Sequence, residues 1–396
     1  MKNVKICIMI WLVSCLCTIS CKEKKQALTP WGEPVESSEV TPSQAFSLDD
    51  ILSNGELIML TLTGPDTYYD YHGRGLGLQY LLCENFAQRL GVMLRVEVCK
   101  DTAELYSRLE QGEGDIIAVP LPQKQGDYTY CGVRDTTNHN SWVVAKSNES
   151  LADTLDRWFH ADLIAQTEKQ QTLMLTTQRV TRHVYSPVLN RGKGIISQYD
   201  AMFKRYASVP RWDWRLLAAQ CYQESTFDPK AHSWAGACGL MQIMPSTADQ
   251  LGLARADIYD PEKNISAACR YLSQLNNTFS DVQNPTERIK FVLASYNGGA
   301  RHVRDAMALA QKNQQNRYSW SVVKEYVLKL SRKEFYTDPV VKAGYMRGSE
   351  TADYVDKIID RWNSYRGVAS PVQPSSVGGA ASGSGVKKER KAKYQL

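Results

Sequence analysis

The chain is 396 residues long, and its 47 basic and 42 acidic residues leave a formal net charge of only +5. Five basic residues and one acidic residue between positions 387 and 393 account for +4 of this charge, so the rest of the chain is close to neutral. A nearly neutral body without a basic stripe excludes the usual nucleic-acid-binding classes. The length favours two domains joined by linkers.

The N-terminus has the layout of a signal peptide. Residues 6–19 form an apolar run after Lys2 and Lys5, and this run is shorter than a typical membrane-spanning helix. Small residues precede Cys21 and a polar chain follows it, as at a lipoprotein processing site. We expect residues 1–21 to be a lipoprotein signal peptide with Cys21 lipidated, which would anchor the protein in the cell envelope at the outer membrane, facing the periplasm. The alternatives are an ordinary signal peptide cut elsewhere or a retained N-terminal anchor.

Two further segments have linker composition. Residues 22–53 are rich in Glu, Ser and Pro, which predicts a flexible tether between the anchor and the folded part. Residues 367–396 contain a Gly/Ser stretch followed by the basic cluster, which predicts a disordered tail.

The pattern changes to alternating strands and helices from residue 55 onward. Strands are predicted at 57–62, 92–98 and 115–119, and helices at 76–90 and 102–110. This βαβαβ order indicates a parallel sheet with right-handed crossovers. A further strand at 142–146 and a helix at 151–160 follow after a gap of some twenty residues. The glycines at 73, 75 and 77 lack the spacing of a phosphate-binding loop, so we expect turn glycines.

One glutamate in the second half stands at the end of an apolar helix predicted at 212–225. A carboxyl held against an apolar face loses hydration of its charged form, so we expect the pKa of Glu224 to be raised and the group to donate a proton near neutral pH. A single glutamate near a helix end is usually only a solvated residue. The motifs that accompany Glu224 favour a site.

Four motifs follow one another in this half: Glu-Ser at 224–225, Gly-Leu-Met-Gln at 239–242, Tyr-Asn-Gly-Gly at 296–299 and Glu-Thr-Ala-Asp-Tyr-Val at 350–355. In this order they resemble the catalytic domain of the soluble lytic transglycosylases, a lysozyme-like all-α fold, over residues 197–362. With the α/β domain expected at 54–185 from its strand and helix pattern, the resemblance implies an α+β chain of two domains, the second a lysozyme-like domain at 186–366.

The resemblance also implies a set of site residues. Glu224 corresponds to the single catalytic acid/base of that family. The implied substrate-binding residues are Ser233, Gln242, Met244, Tyr296, Asn297 and Tyr354. Among these, Tyr296 and Asn297 correspond to the pair that flanks the scissile bond, and Tyr354 to a tyrosine that hydrogen-bonds near the catalytic carboxyl. Ser295 departs from the family, which has alanine more often at this position.

The α/β domain resembles lobe one of the family 3 periplasmic solute-binding proteins, in Tyr68-Tyr69-Asp70 and in Gly-Glu-Gly-Asp-Ile at 112–116. Together, the two domains resemble the layout of the membrane-bound lytic murein transglycosylase F family. The chain departs from that family after residue 121, where the segment is too short to form a second lobe. Without two lobes that close on a ligand, we expect a regulatory, wall-contacting or protein-docking role for this domain rather than amino-acid binding.

The expected chemistry uses one carboxyl group. Most glycosidases need two, but Asp228 precedes a proline and is better explained as a turn residue. The resemblance implies that Glu224 protonates the glycosidic oxygen and then takes the proton of the muramic acid C6 hydroxyl, which leaves a 1,6-anhydro end on the peptidoglycan strand. The alternatives are a hydrolytic muramidase and a non-catalytic peptidoglycan-binding or assembly lipoprotein.

Cofactors and metals are not implied. Neither a C-x-x-C nor a Cys/His pattern suggests zinc. The six cysteines beyond Cys21, three in each half, allow at most one disulfide bond within each half, and we expect them to be free, buried and apolar in character. The expected partners are peptidoglycan glycan strands, the membrane through Cys21, and envelope proteins docking on the α/β domain.

Overall fold

The computed structural model describes residues 46–134, 140–176, 190 and 194–366, which form an α/β domain (the first domain) and then a helical domain. The predicted signal peptide with Cys21, residues 22–45 of the predicted tether and the predicted tail lie outside the described residues. Within the part of the chain that is described, no helix combines the length and the apolar character that a membrane crossing requires.

The first domain is built on a five-stranded mixed sheet and a separate hairpin. Its strands are β1 (Glu56–Leu62), β2 (Tyr69–Tyr71), β3 (Arg74–Leu76), β4 (Met93–Cys99), β5 (Ile116–Leu121), β6 (Tyr128–Arg134) and β7 (Ser141–Ala145). The sheet order is β4-β1-β5-β7-β6, with β1 parallel to both β4 and β5 and with β7 antiparallel to β5 and β6. The predicted parallel βαβαβ unit is therefore confirmed.

Helices cover both faces of this sheet. They are α1 (Leu48–Asn54), α2 (Leu78–Leu90), α3 (Thr102–Glu110), α4 (Glu149–Trp158) and α5 (Asp162–Thr176). Successive residues of β1 serve opposite faces: Met59 packs with Phe86 of α2, whereas Leu60 packs with Leu105 of α3. Burial on both faces explains why β1 is a continuous apolar run instead of an alternating one.

Two elements of the first domain differ from the sequence prediction. Helix α1 includes residues 48–53 of the predicted tether, where Ser47 forms a capping box with Asp50 and Ile51 is buried at 1% exposure. Strand β6 lies in the segment after residue 121, where no strand was predicted, and pairs with β7 at the edge of the sheet. Among the described residues of this domain there is a single five-stranded sheet, in accord with the prediction of one lobe.

The helical domain contains nine α-helices within the described residues. They are α6 (Asp200–Tyr206), α7 (Trp214–Ser225), α8 (Pro245–Gln250), α9 (Pro261–Thr278), α10 (Pro285–Gly298), α11 (Ala300–Lys312), α12 (Trp320–Lys329), α13 (Lys333–Tyr336) and α14 (Gly348–Arg366). Helix α7 packs against α6 and α14, and one continuous apolar core links these helices to α9–α12. The all-α prediction for this half is confirmed.

The six described cysteines are free, as expected. Cys83, Cys99, Cys131, Cys221 and Cys269 are buried, and Cys238 is partly buried. Burial raises the pKa of Cys131 and Cys269 to about 12, so these thiols stay protonated and unreactive.

Candidate active site

A cavity of about 970 Å³ is lined by the helical domain and by the β2–β3 hairpin of the first domain. All seven residues predicted for the site line this cavity: Glu224, Ser233, Gln242, Met244, Tyr296, Asn297 and Tyr354. They come from four segments that are far apart in sequence, namely the end of α7, the loop before α8, the end of α10 and the first turns of α14. The fold therefore brings together every predicted position.

Glu224 is held at a rigid helix end. Helix α7 stops at Ser225 because Thr226 adopts the left-handed conformation, with φ of +56°. The Ser225 hydroxyl donates a hydrogen bond of 2.8 Å to the carbonyl of Leu240 and so ties the helix end to the loop before α8. Glu224 itself is half-buried, and Cys221 one turn earlier is fully buried.

A chain of two hydrogen bonds orients the Glu224 carboxyl group. The Tyr354 hydroxyl donates to Glu224 Oε1 at 2.5 Å, and Gln220 Nε2 donates to the same hydroxyl oxygen at 3.2 Å. Because the Gln220 amide occupies an acceptor site on that oxygen, the hydroxyl proton is directed to Glu224. Burial raises the pKa of Tyr354, and the charge of Glu224 raises it further, so Tyr354 acts as a neutral donor.

The end of α10 forms another part of the cavity wall. The Tyr296 hydroxyl donates to the carbonyl of Met241 at 2.7 Å, and burial together with the charge of Glu224 raises the pKa of Tyr296. Asn297 Oδ1 accepts a hydrogen bond of 2.7 Å from the Thr351 hydroxyl of α14. Both side chains are thus fixed by partners on other segments.

The loop before α8 depends on a close approach to Asn264 of α9. Asn264 is 0% exposed, accepts a hydrogen bond from the Met241 N–H at 2.8 Å and donates to the Cys238 and Ile258 carbonyls. Gly239 has φ of +79°, and a Cβ atom there would lie 2.5 Å from Asn264 Nδ2 and 2.7 Å from the Ile258 carbonyl oxygen. Only glycine fits this position.

Ser233 and Gln242 line the cavity but also shape the loop. Gln242 has a left-handed backbone with φ of +47°, and its Nε2 donates to the carbonyls of Ala231 and Gly239 at 3.1 and 2.9 Å. Ser233 Oγ accepts a hydrogen bond of 2.9 Å from the Ala237 N–H. A strained backbone at a non-glycine residue is held only where its surroundings fix it, as these hydrogen bonds do.

Asp228 is a turn residue, as the sequence predicted. Its Oδ1 accepts a hydrogen bond of 2.9 Å from the Lys230 N–H, and the residue is 2% exposed. It does not belong to the residues that line the cavity, so it is not placed to act as a second catalytic carboxylate.

The sequence prediction missed three supporting residues, Gln220, Asn264 and Thr351, and the contribution of the first domain to the cavity. A signal for Gln220 was available, since a residue four positions before Glu224 lies on the same face of the helix. Asn264 and Thr351 act through segments that only the tertiary fold brings together. The residues of the first domain that line the cavity include Thr63 and all of 68–73.

The cavity offers hydrogen-bonding and charged groups but not a metal site. Within the described residues there is no group of three or more His, Cys, Asp or Glu side chains placed to hold a metal ion. Cationic Arg301, Lys342 and Lys357 line the cavity together with anionic groups such as Asp353. This arrangement suits a polar, partly acidic ligand.

Comparison with known proteins places a family domain over this site. Residues 201–319 match the family model described as "Transglycosylase SLT domain". The match includes Glu224, the loop before α8 and the end of α10, and it ends before α14. The C-terminal part of the chain therefore carries an SLT domain.

Relatives of similar layout are found along most of the chain. The chain is 27% identical to the membrane-bound lytic murein transglycosylase F of Desulfosudis oleivorans over 79% of its own length and 90% of that protein, and 28% identical to the protein of the same name from Enterobacter sp. (strain 638) over 78% of each. Among solved structures, the 70 kDa soluble lytic transglycosylase of Escherichia coli matches 52% of this chain at 24% identity, with a TM-score of 0.31. The chain covers about a quarter (28%) of that longer protein.

Proposed function

We propose that this protein is a lytic transglycosylase that cleaves the β-1,4 bond between N-acetylmuramic acid and N-acetylglucosamine in peptidoglycan. The observation that carries the proposal is the position of Glu224, whose carboxyl group lines the cavity and is oriented by Tyr354 and Gln220. The SLT domain around it and the relatives named lytic murein transglycosylase F support the same activity.

Glu224 would act in both halves of the reaction. Its proton goes to the bridging glycosidic oxygen as the bond from that oxygen to C1 of the muramic acid breaks, which leaves an oxocarbenium-like centre. The electron pair of the C6 hydroxyl oxygen of the same sugar then attacks C1, and the Glu224 carboxylate takes the hydroxyl proton. The new O6–C1 bond closes a 1,6-anhydro ring, water is not consumed, and the carboxyl group is protonated again.

The surroundings of Glu224 support a single-carboxyl mechanism. Three other carboxylates line the cavity, namely Asp70, Glu350 and Asp353. Glu350 accepts a hydrogen bond from Tyr71 at 2.5 Å and pairs with Arg347 at 3.0 Å, and Asp70 accepts a hydrogen bond of 3.1 Å from the Gly73 N–H. Asp353 is exposed and pairs with Lys357. A nucleophile or general base has to face the scissile bond across from the acid, and each of these carboxylates is instead hydrogen-bonded or ion-paired within the protein.

The cellular setting follows from the same proposal. A murein-cleaving enzyme has to reach the wall, and lipidation at Cys21 followed by the segment 22–45 would anchor it in the outer membrane with its cavity facing the periplasmic murein. Relatives named membrane-bound support an envelope location. The partners would be glycan strands and the membrane, with envelope proteins docking on the first domain.

The test is incubation of the purified protein with murein sacculi, followed by mass spectrometry of the released fragments. Wild type is expected to release muropeptides that end in 1,6-anhydro muramic acid, lighter by one water than hydrolysed ends. Glu224→Gln keeps the size of the side chain but not the acid, and should lower the rate by about 10²–10⁴-fold.

Four outcomes would contradict the proposal. Products with reducing muramic acid ends would identify a hydrolytic muramidase. Equal release by wild type and Glu224→Gln would show that Glu224 is not the catalytic acid. Binding of sacculi without any release would identify a glycan-binding protein. A loss in Asp353→Asn as large as that in Glu224→Gln would indicate a mechanism with two carboxylates.

A further inference from the structure

The first turn of α11 faces the active-site cavity. Residues 298–302 all line the cavity, and α11 begins at Ala300 after Gly299, whose φ is +86°. The first N–H that donates within the helix is that of Val303, to the Gly299 carbonyl at 3.4 Å. The N–H groups of the first three helical residues have no acceptor among the described residues, and Gly299 carries no side chain that could cap them. Free N–H groups and the positive end of the helix dipole favour an anion at this turn.

Two cations without a carboxylate partner stand beside this turn. Arg301 and Lys342 are both exposed and line the cavity. Neither forms an ion pair with another residue that the structure describes. The third cation of the cavity differs, because Lys357 pairs with Asp353 at 4.0 Å. The positive charge of Arg301 and Lys342 is therefore available to a ligand.

Asp305 of α11 holds Lys342 close to Arg301. Asp305 is 3% exposed, and its carboxyl oxygens accept hydrogen bonds from the Lys342 N–H at 2.9 Å and the Ala343 N–H at 2.6 Å. Burial raises the pKa of Asp305, and the two N–H groups and the charges of Arg301 and Lys342 oppose this rise. Charges shift a pKa in this way only from nearby, so both cations lie close to Asp305, one helical turn after Arg301.

His302 adds a buried polar group without a partner to the same turn. It is 8% exposed and lines the cavity, and its Nδ1 has no hydrogen-bond partner among the described residues. Its Cδ2 lies 3.9 Å from the position that a Cβ atom would take on Gly299, which places the ring beside the start of the helix. Burial, with a smaller contribution from the charge of Arg301, lowers the pKa of His302 to about 4, so the ring is neutral at pH 7 and can donate one N–H. An unsatisfied buried ring at a cavity wall points to a ligand.

We propose that the first turn of α11, together with Arg301, His302 and Lys342, is a subsite for a carboxylate carried by the muramic acid unit beside the scissile bond. This inference rests on the proposed transglycosylase activity. Muramic acid carries a lactyl group at O3, whose carboxyl group is free in peptide-free glycan and otherwise joins the stem peptide, which has carboxylates of its own. The turn follows directly after Asn297, another residue that lines the cavity, so a muramic acid unit bound there would bring its carboxylate to free N–H groups and unpaired cations.

The test uses four soluble GlcNAc–MurNAc tetrasaccharides that differ only in their carboxylates. Two are peptide-free, with the lactyl carboxyl group free or converted to its methylamide. Two carry an alanyl-glutamyl dipeptide, with the glutamyl carboxyl groups free or amidated. The wild-type full chain is expected to show a KM about 5–30-fold lower for the charged member of one pair, as for a charge-assisted hydrogen bond. The pair that shows the difference identifies the lactyl group or the stem peptide as the source of the carboxylate.

Three variants check that the preference comes from this turn. Arg301→Gln/Lys342→Gln removes both charges at exposed positions and should raise the KM of the charged member to that of the amidated one. Arg301→Lys keeps the charge and should keep most of the preference. Arg332→Gln is the matched control, because Arg332 is also exposed and without an ion pair among the described residues but does not line the cavity. It should keep the wild-type preference, and a thermal unfolding curve checks that each variant is folded.

Binding to the Glu224→Gln full chain provides a readout that does not require cleavage. Calorimetry with the same four tetrasaccharides is expected to give a Kd about 5–30-fold lower for the charged member of the same pair. The difference should disappear when Arg301→Gln/Lys342→Gln is added to Glu224→Gln.

The outcomes separate this inference from the proposed function. Equal KM and Kd values within both pairs would refute the subsite although the enzyme is active. A preference that persists in the folded double variant would also refute it, because the carboxylate would then be held elsewhere. The absence of anhydro product from every substrate would refute the proposed function itself, while a charge preference in binding that depends on Arg301 and Lys342 would still support the subsite.

Discussion

The two domains use their buried polar groups differently. In the first domain three such contacts join separate elements of the fold: Asp115 accepts from the Ile58 N–H at 2.7 Å, the Trp142 indole donates to Gln79 at 2.7 Å, and Asn148 donates to the carbonyl of Phe46. These contacts are spread over the sheet and its helices and do not converge on one place.

In the helical domain a group of buried polar side chains converges on the cavity. Gln220 and Tyr354 orient Glu224, Thr351 holds Asn297, and Asn264 holds the loop before α8. A buried polar group costs free energy unless it is hydrogen-bonded, so a cluster that faces a cleft indicates where a fold places its chemistry. The difference teaches that the helical domain positions the carboxyl group proposed to react, whereas the first domain contributes its β2–β3 hairpin to the cavity wall.

The largest effect is expected at Gly239 in the loop before α8, where a side chain has no space. Gly239→Ala combines left-handed strain with a Cβ atom 2.7 Å from the Ile258 carbonyl oxygen, and should lower the free energy of unfolding by about 2–5 kcal/mol. Denaturant unfolding measures the loss. Gly91→Ala in the first domain is the matched control, since φ is +76° and nothing lies within 4 Å, and it should cost only about 1–2 kcal/mol. Equal losses would show that the close approach to α9 is not needed.

The next effect is a loss of activity, which is expected for Tyr354, the tyrosine that orients Glu224, and not for Tyr106 in the first domain. Tyr354→Phe removes the hydrogen bond to Glu224, which at about 1.5–3 kcal/mol corresponds to a fall in kcat of about 10–100-fold with little change in KM. Tyr106→Phe removes a hydroxyl that lies 3.0 Å from the Tyr130 hydroxyl in the first domain, and should leave kcat unchanged. Steady-state rates on soluble glycan fragments provide the measurement. A wild-type kcat in Tyr354→Phe would contradict the orienting role.

The sequence predicted the residues proposed to act on the substrate better than the residues that support them. Glu224, Tyr296 and Tyr354 stand in short motifs at fixed spacing, and the apolar period of residues 212–225 predicted α7 to within two residues of its start. Short motifs carry such information because neighbouring residues share one helix or one turn.

Contacts between distant segments could not be predicted in this way. The role of Asn264 depends on α9 approaching a loop some twenty residues earlier, and the hairpin contacts join residues 279 positions apart, as in Tyr71 and Glu350. Of the three glycines predicted as turn residues, Gly73 lies in the turn, whereas Gly75 lies in β3 and Gly77 directly precedes α2. Nothing local indicates that the turn lies against the cleft of another domain. Strand β6 was missed because its burial depends on pairing with β7 and not on its own pattern.

The smallest expected effect is the pH dependence of the free energy of unfolding, for which the two domains contribute buried groups of opposite sign. Burial raises the pKa of Asp115 from 3.8 to about 6, offset in part by the Ile58 N–H, and burial lowers the pKa of His302 from 6.5 to about 4. Asp115 therefore contributes stability below pH 3.8 that is lost as the pH rises through 6. His302 contributes stability above pH 6.5 that is lost as the pH falls through 4.

Two variants isolate these opposite trends between pH 4 and 6.5. The free energy of unfolding of Asp115→Asn, taken relative to wild type, should rise with pH by about 1–3 kcal/mol, because only wild type ionises a buried carboxyl. That of His302→Gln should fall with pH by a similar amount, because only wild type loses stability on the acid side. Denaturant unfolding at a series of pH values measures both. Slopes of the same sign would mean that the two groups do not titrate as their burial requires, and the contrast between the domains would then not extend to their electrostatics.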